Sequence, residues 1–165
     1  MVKKDAKKLI KEAIKKDQSI RRKLNEEGES EELYAAMARV DDENNSVIKE
    51  IIATYGVITI SEFGNDVSRD AFLLVQHMPK EDLNYMENSL KAMKENSSDV
   101  NLGYMALLQD RVLVYQNKPQ IYGTQVFLNQ KTGKYELRDV EDPKNLNTRR
   151  YELGLESIED YLAEF

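Results

Sequence analysis

The chain has 165 residues, of which 41% are hydrophobic and 33% are charged, and it contains no cysteine. Its length and composition predict one globular domain. The lack of cysteine excludes disulfides, thiolate metal sites and a cysteine nucleophile. No apolar run approaches the length of a membrane span, and no signal-peptide pattern follows the first methionine. We therefore expect a cytoplasmic protein without a membrane partner.

The net charge of −6 is unevenly distributed. Residues 1–24 hold ten Lys and Arg side chains against three acidic ones, which leaves this segment at +7 and the rest at −13. A basic helix can contact nucleic acid or an anionic surface, or it can be a solvated face on an acidic body. We favour the solvated face and do not expect nucleic acid as a partner. The acidic remainder would repel a polyanion, and no nucleic-acid-binding motif is present.

Apolar residues at helical spacing predict five helices in the first two-thirds of the chain. The second is predicted to begin at a Ser30 cap and can break near Asp41, where polar residues follow in a row. Residues 57–60 fit either a short strand or an extended connector. The predicted helices are about Lys4–Leu24, Ser30 to Tyr55, Val67–Met78, Lys80–Asn96 and Asn101–Tyr115.

The pattern changes after Pro119. Residues 120–128 and 134–140 flank a loop with a late glycine, Gly133, which predicts a β-hairpin. Ser157 and Asp160 resemble a capping box for a last helix. We predict a mainly α fold with a C-terminal β-hairpin (α+β), in which five or more helices surround a groove. Its segments are a basic helix (1–24), a helical core (30–116), the hairpin (119–140) and C-terminal helices (144–165).

His77 is the only histidine and therefore the natural proton shuttle near neutral pH. It follows Gln76 near the end of a predicted helix and shares a face with Asp70, a carboxylate two turns away. The alternative is a structural histidine that caps its own helix end. On the first helix, Asp17, Gln18 and Arg21 are further polar candidates, and Asp17 can pair with Arg21 one turn later.

Asp110 and Arg111 follow an apolar turn of the fifth helix. Adjacent helical residues point about 100° apart, so one of them can face the interior while the other contacts a neighbouring element. Arg111 could bind a carboxylate or phosphate with two parallel hydrogen bonds. An Asp–Arg pair that pins helices together is the alternative, and the sequence does not separate the two.

Residues 120–125, Gln-Ile-Tyr-Gly-Thr-Gln, are poor core material for a strand. In a strand, Gln120, Tyr122 and Thr124 would face one way, with a kink at Gly123. Together with Gln125, these groups suit hydrogen bonding to a polar ligand, and glycine permits close backbone approach. A polar hairpin face exposed to water is the alternative. No metal-ligand spacing, phosphate-binding glycine loop or nucleophile motif is present, so we predict no metal site and assign no cofactor.

These polar pieces occur in a distinctive order. Asp17-Gln18-x-x-Arg21, Gln76-His77, Asp110-Arg111-Val112 and Gln120-x-Tyr122-Gly123-Thr124-Gln125 are followed by three later motifs. These are Glu141-Asp142-Pro143 with Asn145, Arg149-Arg150-x-x-x-Gly154-Leu155, and Tyr161-Leu162. The set resembles a widespread bacterial family of unknown function that shares an Asp-Arg-Val and Gln-x-Tyr-Gly-Thr-Gln core, and the resemblance covers nearly the whole chain. It implies one bacterial domain and a shared polar set, but no activity.

Two functional hypotheses follow. In the first, the chain is a hydrolase or transferase acting on a polar or anionic small molecule or peptide. His77 is then the general acid/base, Asp110 orients it, Arg111 binds the anion, and Tyr122 and the glutamines position the substrate. In the second, it is a non-catalytic protein- or peptide-binding module in which the same residues form a buried polar network. The oligomeric state is not indicated.

Overall fold

The computed structural model describes residues 1–28 and 30–165. The described residues fall into two compact units, Met1–Asp82 with Ser98–Val100 and Leu83–Ser97 with Asn101–Phe165. Long helices fill most of the chain, and a two-stranded antiparallel hairpin lies near its C-terminus. The predicted fold class, mainly α with a C-terminal β-hairpin, is confirmed. That all 165 residues form one domain stays a prediction, as does the predicted groove surrounded by the helices.

In its described residues, the first unit contains four α-helices. They are α1 (Lys3–Glu27), α2 (Glu31–Tyr55), α3 (Ile60–Phe63) and α4 (Asn65–Gln76). The long helices α1, α2 and α4 contact one another, because each has a stripe of apolar residues at helical spacing. Ile10, Ile48 and Leu74 supply that core from the three helices in turn, each at most 1% exposed. Ser30 caps α2 as predicted, with its hydroxyl accepting from the Leu33 N–H at 3.2 Å.

The predicted break in α2 is wrong, since the helix runs without interruption through Asp41. Asp41 and Asn44, in its middle, face α1 and find partners there. Asp41 accepts from Arg21 at 2.9 Å, and the Asn44 amide donates to the Ala13 carbonyl at 3.2 Å. Polar side chains on the inner face of a helix do not break it when the neighbouring helix satisfies their hydrogen bonds.

The connector after α2 forms no strand: Val57 lies in a bend, Thr59 is extended, and Ile60 begins the short helix α3. Ile58 is buried there, so the second interpretation, an extended connector, is the one observed. Helix α4 ends at Gln76, and His77 takes its C-cap position. The His77 N–H donates to the Leu73 carbonyl at 3.0 Å. Pro79 follows, which cannot continue a helix.

The second unit combines helices with the hairpin. Its elements are α5 (Leu83–Glu95), α6 (Leu102–Tyr115), β1 (Val126–Asn129), β2 (Lys134–Leu137), α7 (Leu146–Glu152) and α8 (Ile158–Leu162). Short 3₁₀ turns at Lys80–Asp82, Ser97–Asp99 and Pro143–Asn145 precede α5, α6 and α7. In the hairpin, Val126 pairs with Leu137 and Asn129 with Lys134. Ser157 caps α8 as predicted, with its hydroxyl accepting from the Asp160 N–H at 3.0 Å.

The predicted strand over residues 120–125 is wrong. Only Gln120 forms an isolated parallel bridge, to Val140, and the strand begins at Val126. Gly123 has φ +65°, and the N–H groups of residues on both sides of it point to one carboxylate, that of Asp110. A strand needs successive N–H groups to alternate in direction, so this turn cannot be one. The prediction that Gln120, Tyr122 and Thr124 face one side of a strand is therefore wrong as well.

Membrane crossing requires a helix that is both long and apolar. Within residues 1–28 and 30–165, none of the helices meets both conditions.

Candidate functional site

The first polar cluster joins the C-terminal end of α4 to α1. The imidazole Nδ1 of His77 lies 2.8 Å from Oδ1 of Asp17, which is 60 residues earlier in the chain. The Asp17 side chain is 1% exposed, whereas that of His77 is 22% exposed. The carboxylate is therefore enclosed while one edge of the ring reaches the surface.

The hydrogen bonds decide which ring nitrogen carries the proton. Nδ1 lies within 3.1 Å of the Arg21 Nε–H as well as 2.8 Å from Asp17, and it cannot accept from the first while donating to the second. Arg21 Nε has a better acceptor in the same Asp17 oxygen, also at 3.1 Å. We therefore assign the proton of the neutral ring to Nδ1, which donates to Asp17, and the lone pair to Nε2. Nε2 makes no hydrogen bond to any part of the chain that the structure describes.

Asp17 is held in its ionised form by three neighbouring groups, those of His77, Arg21 and Gln18. Burial alone would raise its pKa, but the hydrogen bond from His77, the charges of His77 and Arg21, and the hydrogen bond from Gln18 outweigh burial and lower the pKa below its usual value. Gln18 Nε2 donates to the second carboxylate oxygen at 2.8 Å. The predicted pair of Asp17 and Arg21 on one turn of α1 is confirmed.

Arg21 links the Asp17–His77 pair to α2. Its NH2 lies 2.9 Å from Oδ1 of Asp41, and its NH1 lies 3.0 Å from the Met37 sulfur. Burial raises the pKa of Asp41, and the charge of Arg21 opposes that rise. Two carboxylates and an imidazole thus surround a guanidinium. In residues 1–28 and 30–165, no three His, Asp or Glu side chains group so that they could hold a metal ion.

The carboxylate predicted near His77 was Asp70, and the structure places it elsewhere. Asp70 Oδ1 accepts from Nε and NH2 of Arg69 at 3.1 and 2.8 Å. The partner of His77 comes instead from α1, which spacing within one helix cannot reveal. Gln76, the neighbour of His77, is buried in the last turn of α4.

The second polar cluster surrounds Asp110, which is fully buried on α6. Its carboxylate accepts from the backbone N–H groups of Ile121, Tyr122 and Thr124 at 2.8, 3.1 and 3.0 Å. The Thr124 hydroxyl adds a further bond at 3.0 Å. Burial raises the pKa of Asp110, and these hydrogen bonds oppose the rise. The carboxylate therefore fixes the 121–124 turn and has no lone pair left for a ligand.

The two glutamines that flank the turn close it. Gln120 Oε1 accepts from the Gln125 N–H at 2.9 Å, and Gln120 Nε2 donates to the carbonyls of Gln125 and Arg138 at 3.0 and 2.9 Å. Gln125 Nε2 donates to the Thr124 hydroxyl at 3.0 Å. Gln120, Thr124 and Gln125 are all buried, so a polar face exposed to water, the alternative drawn from the sequence, is wrong.

The carbonyls of the same turn are bound by residues of the C-terminal helices. Arg149 Nε donates to the Ile121 carbonyl at 2.9 Å and Arg150 NH1 to the Tyr122 carbonyl at 2.7 Å. The Tyr161 hydroxyl donates to the Thr124 carbonyl at 2.9 Å. The residue-by-residue reading of the sequence gave these three side chains no role. Their only signal was the order of motifs that follows the Gln-x-Tyr-Gly-Thr-Gln segment.

Arg111 and Tyr122 are the members of the second cluster with uncommitted polar atoms. Arg111 Nε is buried and donates no hydrogen bond to residues 1–28 or 30–165, while its guanidinium lies 6.0 Å from the centre of the Tyr115 ring. The Tyr122 hydroxyl likewise has no hydrogen-bond partner in the described chain. Burial and the charge of Asp110 raise the pKa of Tyr122, and Arg149 opposes the rise.

The predicted site residues thus fall into two groups. Asp17, Gln18, Arg21, Gln76 and His77 belong to the first unit. The second unit contains Asp110, Arg111, Gln120, Tyr122, Thr124 and Gln125. Each group is described within its own unit, so the predicted convergence of His77 with Asp110 and Arg111 stays a prediction.

Comparison with known proteins identifies a family. The chain matches no curated protein and no solved structure. Residues 5–165 match a family of unknown function, DUF6624, and this range includes both polar clusters. The chain therefore belongs to the DUF6624 family, whose function is unknown.

Proposed function

We propose that this protein is an acid–base enzyme, a hydrolase or transferase of a polar or anionic small molecule or peptide, in which His77 transfers the proton. The observation that carries the proposal is the state of the imidazole. Nδ1 is bonded to a buried, ionised Asp17, and Nε2 is open at a partly exposed edge. A carboxylate that orients a histidine and stabilises its protonated form is a recurring arrangement in hydrolases.

The proposed chemistry uses each member of the first cluster. Nε2 takes a proton from a water or hydroxyl nucleophile as the nucleophile attacks the substrate, and later gives that proton to the leaving group. Asp17 holds the ring and stabilises the imidazolium formed between these steps. Arg21 and Gln18 hold Asp17 in place. Asp17 therefore takes the role of orienting His77, which the sequence predicts for Asp110.

Arg111 is the proposed anion-binding residue of the second unit. A guanidinium with a buried, unbonded Nε is costly, and an anionic ligand would supply the missing acceptor. Tyr122 offers a hydroxyl to the same class of ligand. These roles need no strand at residues 120–125, because the Asp110 network fixes the turn that carries Tyr122.

The first test reads the imidazole directly. Since His77 is the only histidine, ¹⁵N NMR of the ring and modification by diethyl pyrocarbonate, followed by absorbance near 240 nm, report on it alone. We expect the tautomer protonated on Nδ1 and ready modification at Nε2. A neutral ring protonated on Nε2, or a ring that reacts only after unfolding, would remove the general base from the proposal.

The second test measures turnover. A panel of p-nitrophenyl esters, phosphates and glycosides and of aminoacyl p-nitroanilides is assayed with the parent protein and with H77Q, D17N and D42N. Loss of a general base or of the carboxylate that orients it typically lowers kcat by about 10²- to 10⁴-fold. The control, Asp42, is an exposed carboxylate on α2, and D42N should keep the parent rate. Equal rates for H77Q and the parent on every substrate turned over would refute catalysis by His77.

A non-catalytic binding module is the second candidate, and the Asp110 cluster favours it. Asp110, Gln120, Thr124 and Gln125 satisfy one another or the backbone, which is the pattern of a structural network. If this is the whole function of the polar set, none of the panel substrates is turned over.

A further inference from the structure

A groove of about 580 Å³ lies between α1 and α4 in the first unit. Volumes of this size are typical of small-molecule sites. Ile14 and Leu73 form an apolar part of its wall, while Lys15 and Arg22 line it from α1. Neither His77 nor Asp17 is among the lining residues, so the groove does not include the Asp17–His77 pair itself, although Gln18 contacts both.

The charges of the groove do not cancel. The carboxylate of Asp70 is bonded to Arg69 beside it through both Nε and NH2. Lys15 and Arg22 form no ion pair with any residue in the described part of the chain. Two positive charges therefore face the groove without a counter-charge. Both cations belong to the basic segment 1–24, whose net charge is +7 in a chain of net charge −6.

The spacing of the two cations allows them to act on one ligand. Lys15 and Arg22 are seven residues apart, which places them on one face of α1 with about 10 Å between their backbones. Long flexible side chains close that distance around a single anionic group. Gln18 lies between them on the same face and bonds Asp17 through Nε2, so its carboxamide is already held in position.

We propose that this groove binds a small phosphate monoester with an apolar body. Two uncompensated cations match the charge of a phosphate monoester, which is close to −2 at neutral pH. The Arg22 guanidinium can bind two phosphate oxygens at once, and Lys15 supplies a second charge. Ile14 and Leu73 bury the apolar part of the ligand. The inference does not depend on catalysis by His77.

The test uses 1-naphthyl phosphate as the probe, with inorganic phosphate and the uncharged 1-naphthalenemethanol as comparisons. Isothermal titration calorimetry gives the affinities, and NMR of the Ile14 and Leu73 methyl groups gives the position. We expect 1-naphthyl phosphate to bind more tightly than either comparison molecule and to shift both methyl signals. R22Q and K15Q should each weaken its binding about tenfold, the value of one or two charge-assisted hydrogen bonds.

K11Q is the matched control, because Lys11 is an exposed lysine of the same helix that does not line the groove. Removal of its charge should change the affinity by less than about twofold. H77Q should leave binding unchanged even if it abolishes turnover, which separates this proposal from the proposed function. Circular dichroism checks that R22Q and K15Q fold, and both exchange exposed side chains.

Three results would overturn the proposal. The first is failure of 1-naphthyl phosphate to bind the parent protein. The second is an equal loss of affinity in K11Q, R22Q and K15Q, which indicates diffuse attraction to a basic helix. The third is tight binding without any shift at Ile14 and Leu73, which would place the ligand elsewhere.

Discussion

The two polar clusters differ in what their buried carboxylates face. Asp110 is bonded by three backbone N–H groups and one hydroxyl, all from residues within 14 positions along the chain. Asp17 is bonded by a guanidinium, a carboxamide and the imidazole of His77, which lies 60 residues away. The first carboxylate fixes a loop, whereas the second holds a titratable ring.

This difference separates structural from chemical roles. Both oxygens of the Asp110 carboxylate accept hydrogen bonds from the turn, so removal of the carboxylate leaves the donors of the turn unpaired. The Asp17–His77 pair ends in a nitrogen that no described residue uses. Substitutions in the first cluster should therefore act on stability, and those in the second on proton transfer.

Asp110→Ala is expected to have the largest effect on stability. The substitution leaves the buried N–H groups of residues 121, 122 and 124 without a hydrogen-bond acceptor. The free energy of unfolding should therefore fall by at least about 3 kcal/mol. Urea denaturation followed by circular dichroism measures the loss. Asp139→Ala, at an exposed position just after β2, should change stability by less than about 0.5 kcal/mol. Similar losses in the two variants would contradict the role assigned to Asp110.

Gly123→Ala is the next largest change and tests the shape of the turn itself. Gly123 has φ +65°, and an added Cβ would lie 3.2 Å from Leu146 Cδ2 and from Ile158 Cδ1. Gly133 has nearly the same φ, +67°, with nothing within 4 Å of an added Cβ. G133A should cost about 1 kcal/mol for its backbone conformation alone.

The difference between these two variants isolates the crowding around Gly123. We expect G123A to cost about 1–3 kcal/mol more than G133A, since overpacking of a closed site forces neighbouring side chains to shift. Urea denaturation of both variants measures this difference. Equal costs would mean that Leu146 and Ile158 yield without penalty and that only the backbone angle matters at Gly123.

The sequence predicted the helices well because apolar spacing is a local property. It also predicted the Asp17–Arg21 pair, whose members are one helical turn apart. It failed where a distant residue decides the local structure. Nothing in the polar stretch around Asp41 shows that Arg21 will bind it, and nothing in the Gln120–Gln125 segment shows that Asp110 will collect its N–H groups. For the same reason, helical spacing predicts Asp70, on the same helix, as the carboxylate near His77, whereas the structure supplies Asp17 from α1.

Asp17→Asn should change stability in a pH-dependent way. The pKa of Asp17 is lowered in the folded protein, so its ionised form stabilises the fold above the usual carboxylate value of 3.8. That contribution is lost as the pH falls through the lowered folded pKa, because the carboxylate is then protonated in both states. The difference in unfolding free energy between the parent and D17N should therefore shrink between neutral pH and about pH 3. Urea denaturation across this range tests it, and a difference that does not vary with pH would contradict the assignment.

His77→Gln should have the smallest effect on stability. Glutamine can still offer a hydrogen bond to Asp17, Arg21 remains as a second partner of that carboxylate, and the ring is already 22% exposed. The unfolding free energy should fall by no more than about 1 kcal/mol. A loss comparable with that of D110A would show that the imidazole, like the Asp110 carboxylate, serves the fold. A small loss would mean that the fold does not require the histidine, so that its chemical role remains the physical reason for a titratable ring at this position.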